Sequence, residues 1–205
     1  MTEEWATKRA ERIQRAYEAF KEHEATLECW AAGLQVLNWQ KPGTLRYRVR
    51  YVFDTSANRI YIGGDLGAAV VHPTWEATFE KTYRNTAEGR TDTDVDEGYF
   101  LSNVEATSNR YVFDRDAAER CVRENCEGIE EEEGAVKAIM RDFDDAWGLR
   151  HVGEKARSLL GDYDPDYWEW LTRAGRSVDA QVYLWLVGLK LAWKQLHKES
   201  ADGKH

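Results

Sequence analysis

The segment Gly63-Gly64-Asp65-Leu66-Gly67 has the residue types of a ligand-binding loop. Glycine permits positive φ angles and close backbone approach, and an aspartate can accept hydrogen bonds from backbone amides. Gly64, Asp65 and Gly67 are therefore candidates for contacting a ligand or for shaping a turn. The spacing is not that of a dinucleotide fingerprint, and the Lys-Ser/Thr pair of a phosphate loop is missing. The alternative interpretation is a bulge or bend between two strands.

A second group of candidates combines acidic and aromatic side chains in the C-terminal half of the chain. Carboxylates spaced along helices can imitate a row of phosphates and occupy the basic groove of a nucleic-acid-handling protein. The alternative is a charged helical surface around an aromatic core. The candidate partner-binding residues are Glu130, Glu131, Glu132, Glu133, Asp142, Asp145, Asp162, Asp164, Asp166, Trp168 and Trp170.

Three arginines, Arg46, Arg48 and Arg50, alternate along a predicted strand and would share one of its faces. Such a face could contact DNA phosphates, or it could pair with carboxylates and protect an exposed sheet face. The net charge of −9 disfavours nonspecific nucleic-acid binding, which needs an excess of clustered cations. A protein partner with a basic surface would instead be attracted.

The sequence contains no complete metal or catalytic motif. Asp92, Asp94 and Asp96 have the one-three-five spacing of a calcium loop, but Glu97 and Asn103 stand where that loop requires Gly and Glu. No histidine lies in a His-Glu-x-x-His pattern, no cysteine pair has Cys-x-x-Cys spacing, and no serine lies in Gly-x-Ser-x-Gly. We therefore expect no catalytic residue, no metal site and no cofactor.

The N-terminal segment predicts a long amphipathic helix. Apolar residues recur at three- and four-residue spacing from Ile13 to Leu34, with charged residues between them. Glu24 and Glu28 would share a face of this helix, either as paired carboxylates, which would need burial, or as a solvated surface. Pro42-Gly43 predicts the turn that follows.

The middle of the chain predicts strands. Leu45 to Phe53 alternates apolar and basic residues, and Arg59 to Ile62 returns as the second strand of a hairpin. A third strand is expected at 68–71, and Asp114 is a good cap for a helix through about Cys126. Further helices are expected near 135–147, 151–160, 165–174 and 178–197. The predicted class is α+β: a small antiparallel sheet, a hairpin plus one or two strands, flanked by the N-terminal helix and a C-terminal helical bundle.

The domain organisation predicted from the sequence has one break. Residues 1–134 would form a helix-plus-sheet core and residues 135–205 a helical subdomain, or the whole chain would be one domain. The helix at 178–197 is apolar on nearly all sides, so we expect it to be buried in its own core or in a homodimer.

Several features predict a cytoplasmic location, which would be that of a host cell if the resemblance described next holds. Three cysteines are too few and too scattered for a secreted disulfide scaffold. The N-terminus lacks a basic start followed by an apolar run, and the most apolar stretch, Val182 to Trp193, is too short to span a bilayer.

The hairpin motif resembles small uncharacterised proteins of bacteriophages and prophages. The similarity is carried by Tyr47-Arg48-Val49-Arg50-Tyr51-Val52-Phe53-Asp54 and by Ile60 to Val70, which includes Gly64-Asp65-Leu66-Gly67-Ala68. It covers roughly residues 44–127 and leaves the flanking helices uncovered. The resemblance implies a phage or mobile-element origin and carries no catalytic residue.

The sequence therefore predicts a non-catalytic phage-type accessory protein that binds and inhibits a host protein. A nucleic-acid-handling defence complex, such as a CRISPR effector, is the kind of target expected. Two alternatives stay open: a small enzyme or nucleotide-binding protein that uses the Asp65 loop, and a DNA-binding protein that uses Arg46, Arg48 and Arg50.

Overall fold

The computed structural model describes residues 3–89, 91, 94–129, 132–144, 148–149 and 151–202. In chain order its helices and strands are α1 (Glu3–Ala19), β1 (Glu24–Trp30), β2 (Leu34–Gln40), β3 (Val49–Asp54), β4 (Arg59–Gly64), β5 (Ala69–Val71), α2 (Phe79–Thr86), α3 (Glu97–Ser102), β6 (Val104–Thr107), β7 (Tyr111–Phe113), α4 (Arg115–Cys126), α5 (Glu132–Met140), β8 (Phe143–Asp144), β9 (Gly148–Leu149), α6 (Glu154–Tyr163), α7 (Tyr167–Leu171), β10 (Arg176–Val178) and α8 (Ala180–Asp202).

The chain divides into two compact units. The first comprises residues 1–110 and 179–205, and the second comprises residues 111–178. The break that the sequence suggested near residue 134 lies inside the second unit, within α5. The α+β class, the N-terminal helix and the C-terminal helices are confirmed. None of the described helices is long and apolar enough to span a membrane.

The first unit is built on a six-stranded antiparallel sheet in which strands β1 to β6 are neighbours in sequence order. Successive side chains of a strand point to opposite faces, so every second residue of a strand faces the core. One cross-strand row of that core face is formed by Leu27, Leu37, Tyr51, Ile62 and Ala69. The sheet is larger than the predicted hairpin plus one or two strands.

The predicted continuation of the N-terminal helix to Leu34 is wrong. The helix ends at Ala19, and residues 24–40 form the hairpin of β1 and β2, in which Leu27 pairs with Leu37. Leu27 and Leu34 have spacing that also fits a helix. An extended backbone puts residues 35, 37 and 39 on one face, and it places Leu37 and Trp39 in the core. Val36 and Trp39 are also residue types that favour strands.

Helix α8 packs within the first unit, where it contacts α1, β1 and β2. The Tyr51 hydroxyl on β3 donates to the Trp185 carbonyl at 2.6 Å. Gly188 permits this close packing, because a Cβ there would lie 3.0 Å from both the Trp39 ring and the Tyr51 hydroxyl. Most of the apolar stripe of α8 is thus buried in its own unit, and the homodimer stays a prediction.

Two cations, the partly buried Arg9 and the fully buried Lys190, hold parts of the first unit together. Arg9 on α1 binds both carboxylate oxygens of Glu97, at 2.6 and 2.9 Å, and the Tyr183 hydroxyl donates to the same carboxylate at 3.3 Å. The Lys190 ammonium, which is 1% exposed, donates to the carbonyls of Glu88, Thr91 and Asp94 at 3.1, 2.7 and 2.7 Å. These charges are hydrogen-bonded, as burial requires.

The second unit has a core of its own, formed by α4, α5, α6 and α7. Its fully buried residues include Val122, Ile139, Leu160 and Leu171. The Asp114 carboxylate accepts a hydrogen bond from the Ala117 amide, so the predicted cap and helix end at Cys126 are both confirmed. Strands β7 and β10 pair antiparallel and bring the two ends of this unit together.

Candidate functional site

The Asp65 carboxylate holds the backbone of an adjacent loop. It accepts a hydrogen bond from the Tyr47 amide at 2.6 Å, and Tyr47 has a φ of 57°. Positive φ is uncommon for a bulky residue and needs support from its surroundings. At Gly64, where φ is 136°, a Cβ would lie 2.1 Å from the Arg48 carbonyl oxygen. Asp65 and Gly64 therefore fix residues 44–48, which we call the 44–48 loop.

Gly67 has a similar role at the other end of the motif. Its φ is 90°, and a Cβ would lie 2.3 Å from the Gln181 side-chain oxygen and 2.7 Å from the Ser108 hydroxyl. Gln181 in turn donates to the Asn109 carbonyl at 2.5 Å. The contacts of Gly64, Asp65 and Gly67 lie within the chain, and direct binding of a ligand by Asp65 stays a prediction.

The predicted face of three arginines is not formed. Strand β3 begins at Val49, because Tyr47 in the left-handed region interrupts the extended backbone before it. Arg50 alone lies in the strand and is exposed, while Arg46 belongs to the 44–48 loop. The Nε atom of Arg48 is buried without a hydrogen-bond partner. The three side chains therefore do not form the continuous basic strip that the DNA-binding alternative needs.

His23 supports the 44–48 loop from its other side. Its Nε2 atom lies 3.2 Å from the Tyr47 carbonyl oxygen, which can only accept, so Nε2 carries the proton. The ring contacts those of Phe20 and Trp39, at centroid distances of 4.8 and 5.6 Å. Burial lowers the pKa of His23, and the Nδ1 atom is buried without a partner. The sequence did not single out His23, because its role depends on the turn that follows α1.

Two cavities adjoin His23. One, of about 650 Å³, lies beside the 44–48 loop and is lined by Lys21, Lys41, Arg46 and Tyr47 among others. The other, of about 480 Å³, is lined mainly by aromatic residues and by lysines of α8. Glu18, Lys21 and His23 line both cavities.

Several of the predicted partner-binding carboxylates are already engaged within the second unit. Glu133 binds Arg123 at 2.8 Å and Lys137 at 3.3 Å, and these hydrogen-bonded cations lower the pKa of Glu133. Asp142 accepts a hydrogen bond from the Gly153 amide at 2.7 Å. These side chains stabilise local structure and are less available to a partner.

Asp164 organises the turn between α6 and α7. One of its oxygens accepts from the Trp170 ring nitrogen and the other from the Asp166 amide, both at 3.0 Å. Trp170 is half-buried and packs against the core of its unit. Asp164 and Trp170 thus hold the turn in place, while Tyr163, Asp166, Trp168 and Glu169 are exposed.

The exposed residues around this turn include three acids and two aromatic residues. Trp168 is 55% exposed and Tyr163 is 50% exposed, which leaves two large rings in water. The acid–aromatic patch comprises Asp162, Tyr163, Asp166, Trp168 and Glu169, all of which are exposed. The rest of the predicted set is not gathered here: Glu130, Glu131 and Asp145 lie outside the described residues, and Glu132 begins α5 with its side chain undescribed.

Two of the three aspartates that have the spacing of a calcium loop make contacts within the chain. Asp96 caps α3 by accepting a hydrogen bond from the Tyr99 amide at 2.8 Å, and Asp94 lies 3.6 Å from Arg9. Asp92 lies outside the described residues. Among the described residues there is no group of three or more His, Cys, Asp or Glu side chains that could hold a metal ion.

Comparisons with known proteins give no relative for this chain: no family model, no curated protein and no solved structure matches it.

Proposed function

We propose that this chain is a non-catalytic protein that binds a basic surface of a partner protein through the acid–aromatic patch. The observation that carries the proposal is Trp168, 55% of whose surface is exposed, and which lies within two positions in the sequence of the exposed acids Asp166 and Glu169. Exposed tryptophans are costly in water and are enriched among residues that dominate binding energies.

The chemistry of the patch favours arginine and lysine on the partner. A guanidinium stacks on an indole face, and carboxylates accept hydrogen bonds from guanidinium and ammonium groups. Asp164 and Trp170 hold the turn beneath the patch, so little ordering is needed when a partner binds. The net charge of −9 adds long-range attraction to a basic surface.

The partner class that fits best is a nucleic-acid-handling host protein. Its basic groove evolved to bind phosphates, and a carboxylate-bearing surface that fills the groove would exclude nucleic acid. We propose that the chain acts in this way as a phage-type inhibitor, with a host defence complex such as a CRISPR effector as the target to test. The resemblance of residues 44–127 to phage and prophage proteins supports this choice.

The decisive experiment is a capture from bacterial lysate followed by elution with double-stranded DNA. The wild-type chain is expected to retain a protein that DNA releases. The triple variant Asp162→Asn, Asp166→Asn, Trp168→Ala is expected to lose it. A matched control removes one exposed tryptophan and two exposed acids elsewhere, as Trp30→Ala, Glu76→Gln and Glu88→Gln, and should retain the partner.

Three outcomes would contradict the proposal. The first is that no protein is retained, and the second is that both triple variants retain it equally. The third is that DNA fails to release the captured protein, which would overturn its assignment as a nucleic-acid-handling protein. Thermal melting of each variant, followed by circular dichroism, checks that the substitutions leave the fold intact.

A further inference from the structure

The cavity beside the 44–48 loop has the size of a small-molecule site. Its volume of about 650 Å³ falls within the range of roughly 300–1,000 Å³ that is common for ligand pockets. It is formed where the end of α1, the β2–β3 connection and His23 meet. All of these residues belong to the first unit, so the cavity is separate from the acid–aromatic patch.

The lining of this cavity is cationic on an otherwise acidic chain. Two of its lysines are compensated, since Lys21 pairs with Glu18 and Lys41 pairs with Glu22. Arg46 is exposed, and no acidic partner for its side chain is found among the described residues. One guanidinium is thus left to bind an anion, and its fork of N–H groups matches a carboxylate.

An aromatic side chain is held at the same cavity at a conformational cost. Tyr47 lines the cavity, is 46% exposed and has a φ of 57°. Asp65 binds its amide and His23 binds its carbonyl, so the strained backbone is fixed on both sides. Strain of this kind persists only where surrounding contacts enforce it, and it is concentrated at binding sites. A backbone fixed in advance loses little entropy on binding.

From the uncompensated Arg46 and the fixed Tyr47 we infer that this cavity binds a small aromatic monocarboxylate. The ligand's carboxylate would form a bidentate pair with the Arg46 guanidinium, and its ring would pack on Tyr47. A single negative charge matches the single cation that lacks an acidic partner, whereas a phosphate monoester carries nearly two. Asp65 acts here as a positioning residue, because its carboxylate is engaged with the Tyr47 amide.

The test titrates the full chain, labelled with nitrogen-15, with 2-naphthoate and follows amide chemical shifts. Shifts are expected at residues 44–48 and at His23, and phenyl phosphate is expected to bind more weakly. Cyclohexanecarboxylate supplies the same charge without an aromatic ring and should bind about tenfold more weakly, in the range expected for loss of ring stacking. Arg46→Gln should weaken 2-naphthoate binding by about tenfold or more, as expected for loss of a charge-assisted hydrogen bond.

Tyr47→Gly is the informative second variant, because glycine adopts a φ of 57° without strain and the loop should stay folded. It should remove the preference for 2-naphthoate over cyclohexanecarboxylate and leave the fold unchanged. Arg50→Gln, on the exposed side of β3, is the matched control and should bind as wild type does. Shifts confined to other regions, equal binding by Arg46→Gln, or no binding at all would overturn the inference, whatever the outcome of the capture experiment.

Discussion

At the scale of single residues, Asp65 belongs to a motif that the sequence reveals, but its role at Tyr47 is seen only in the structure. Its carboxylate supports the Tyr47 amide from 18 residues away, and no spacing rule could pair a turn aspartate with a residue in the left-handed region. A sequence predicts that Gly64 and Gly67 bend the chain, but it does not reveal which backbone atoms approach them.

Removal of the Asp65 carboxylate should destabilise the protein modestly. Asp65→Ala takes away the hydrogen bond that holds Tyr47 and should lower the free energy of unfolding by about 1 kcal/mol. Urea denaturation followed by tryptophan fluorescence measures this change. Asp65→Ala in the Tyr47→Gly background should cost less, since the glycine needs no enforcement of its positive φ. Equal losses in the two backgrounds would show that Asp65 does not act through Tyr47.

His23 should make stability depend on pH. Burial lowers the pKa of His23 below its ordinary value of 6.5, so the unfolded chain binds a proton at a pH where the folded chain does not. The stability that neutral His23 provides is therefore fully present above pH 6.5, and it falls as the pH decreases from 6.5 towards the lowered pKa of the folded state. Urea denaturation at several pH values between 7.5 and 5 should show this fall.

The variant His23→Gln isolates the contribution of His23, because glutamine does not titrate. Its stability should decrease less between pH 7.5 and 5 than that of the wild type. His151→Gln removes an exposed histidine and serves as the control. Its stability should depend on pH as that of the wild type does. The same pH dependence in wild type and His23→Gln would assign the effect to other groups.

At the scale of elements, the sequence predicted well the segments whose pattern has one interpretation. The strand pair of β3 and β4, the short strand β5 and the helix α4 with its Asp114 cap are where alternation and capping rules place them, except that residues 45–48 do not extend β3. Residues 24–34 were mispredicted because the spacing of Leu27 and Leu34 fits a helix as well as a hairpin. The residue types of β2 favour a strand, and the packing of Trp39 against α8 supports it, but that contact is remote in sequence.

Helix α8 stabilises the backbone at Glu88, Thr91 and Asp94 through one side chain. The Lys190 ammonium supplies hydrogen bonds to three backbone carbonyls there. Lys190→Met keeps an apolar chain of similar length but leaves these carbonyls without their donor. We expect the free energy of unfolding to fall by about 1–3 kcal/mol. Hydrogen exchange at the Asp94 and Asp96 amides should speed up by about tenfold or more.

The control for this element is Lys198→Met, since Lys198 is an exposed lysine near the end of the same helix. It should change neither the unfolding free energy nor the exchange of the Asp94 and Asp96 amides by a measurable amount. Unchanged exchange in Lys190→Met would show that the backbone at Asp94 and Asp96 is held by other contacts, such as the hydrogen bond from the Asp96 amide to the Thr86 carbonyl at 2.8 Å.

At the scale of the whole molecule, the second unit is an insertion into the first. The chain leaves the first unit after Arg110 and returns at Asp179, and the Asp179 amide donates to the Arg110 carbonyl at 3.0 Å. The two ends of the insertion are likewise paired, since β7 and β10 form a two-stranded sheet. The sequence alone does not show that the chain returns to the first unit at residue 179, so a single break near residue 134 was predicted in place of an insertion.

This arrangement predicts that the two units fold separately. A chain in which Arg110 is joined to Asp179 by two glycines should keep the first unit folded, because residues 110 and 179 are already hydrogen-bonded neighbours. Residues 111–178 alone should also fold, around Val122, Ile139 and Leu160, but with a lower melting temperature, since so small a domain buries a smaller share of its surface. Circular dichroism melting of each fragment measures both expectations.

Separate folding would also separate the two proposed sites. The joined first unit should bind 2-naphthoate as the full chain does, because Arg46, Tyr47, Asp65 and His23 all lie in it. Residues 111–178 should retain the partner protein, because Trp168 and its neighbouring carboxylates lie there. An unfolded joined fragment would show instead that the first unit depends on the insertion for its stability, and the two activities would then have to be separated by point substitutions in the full chain.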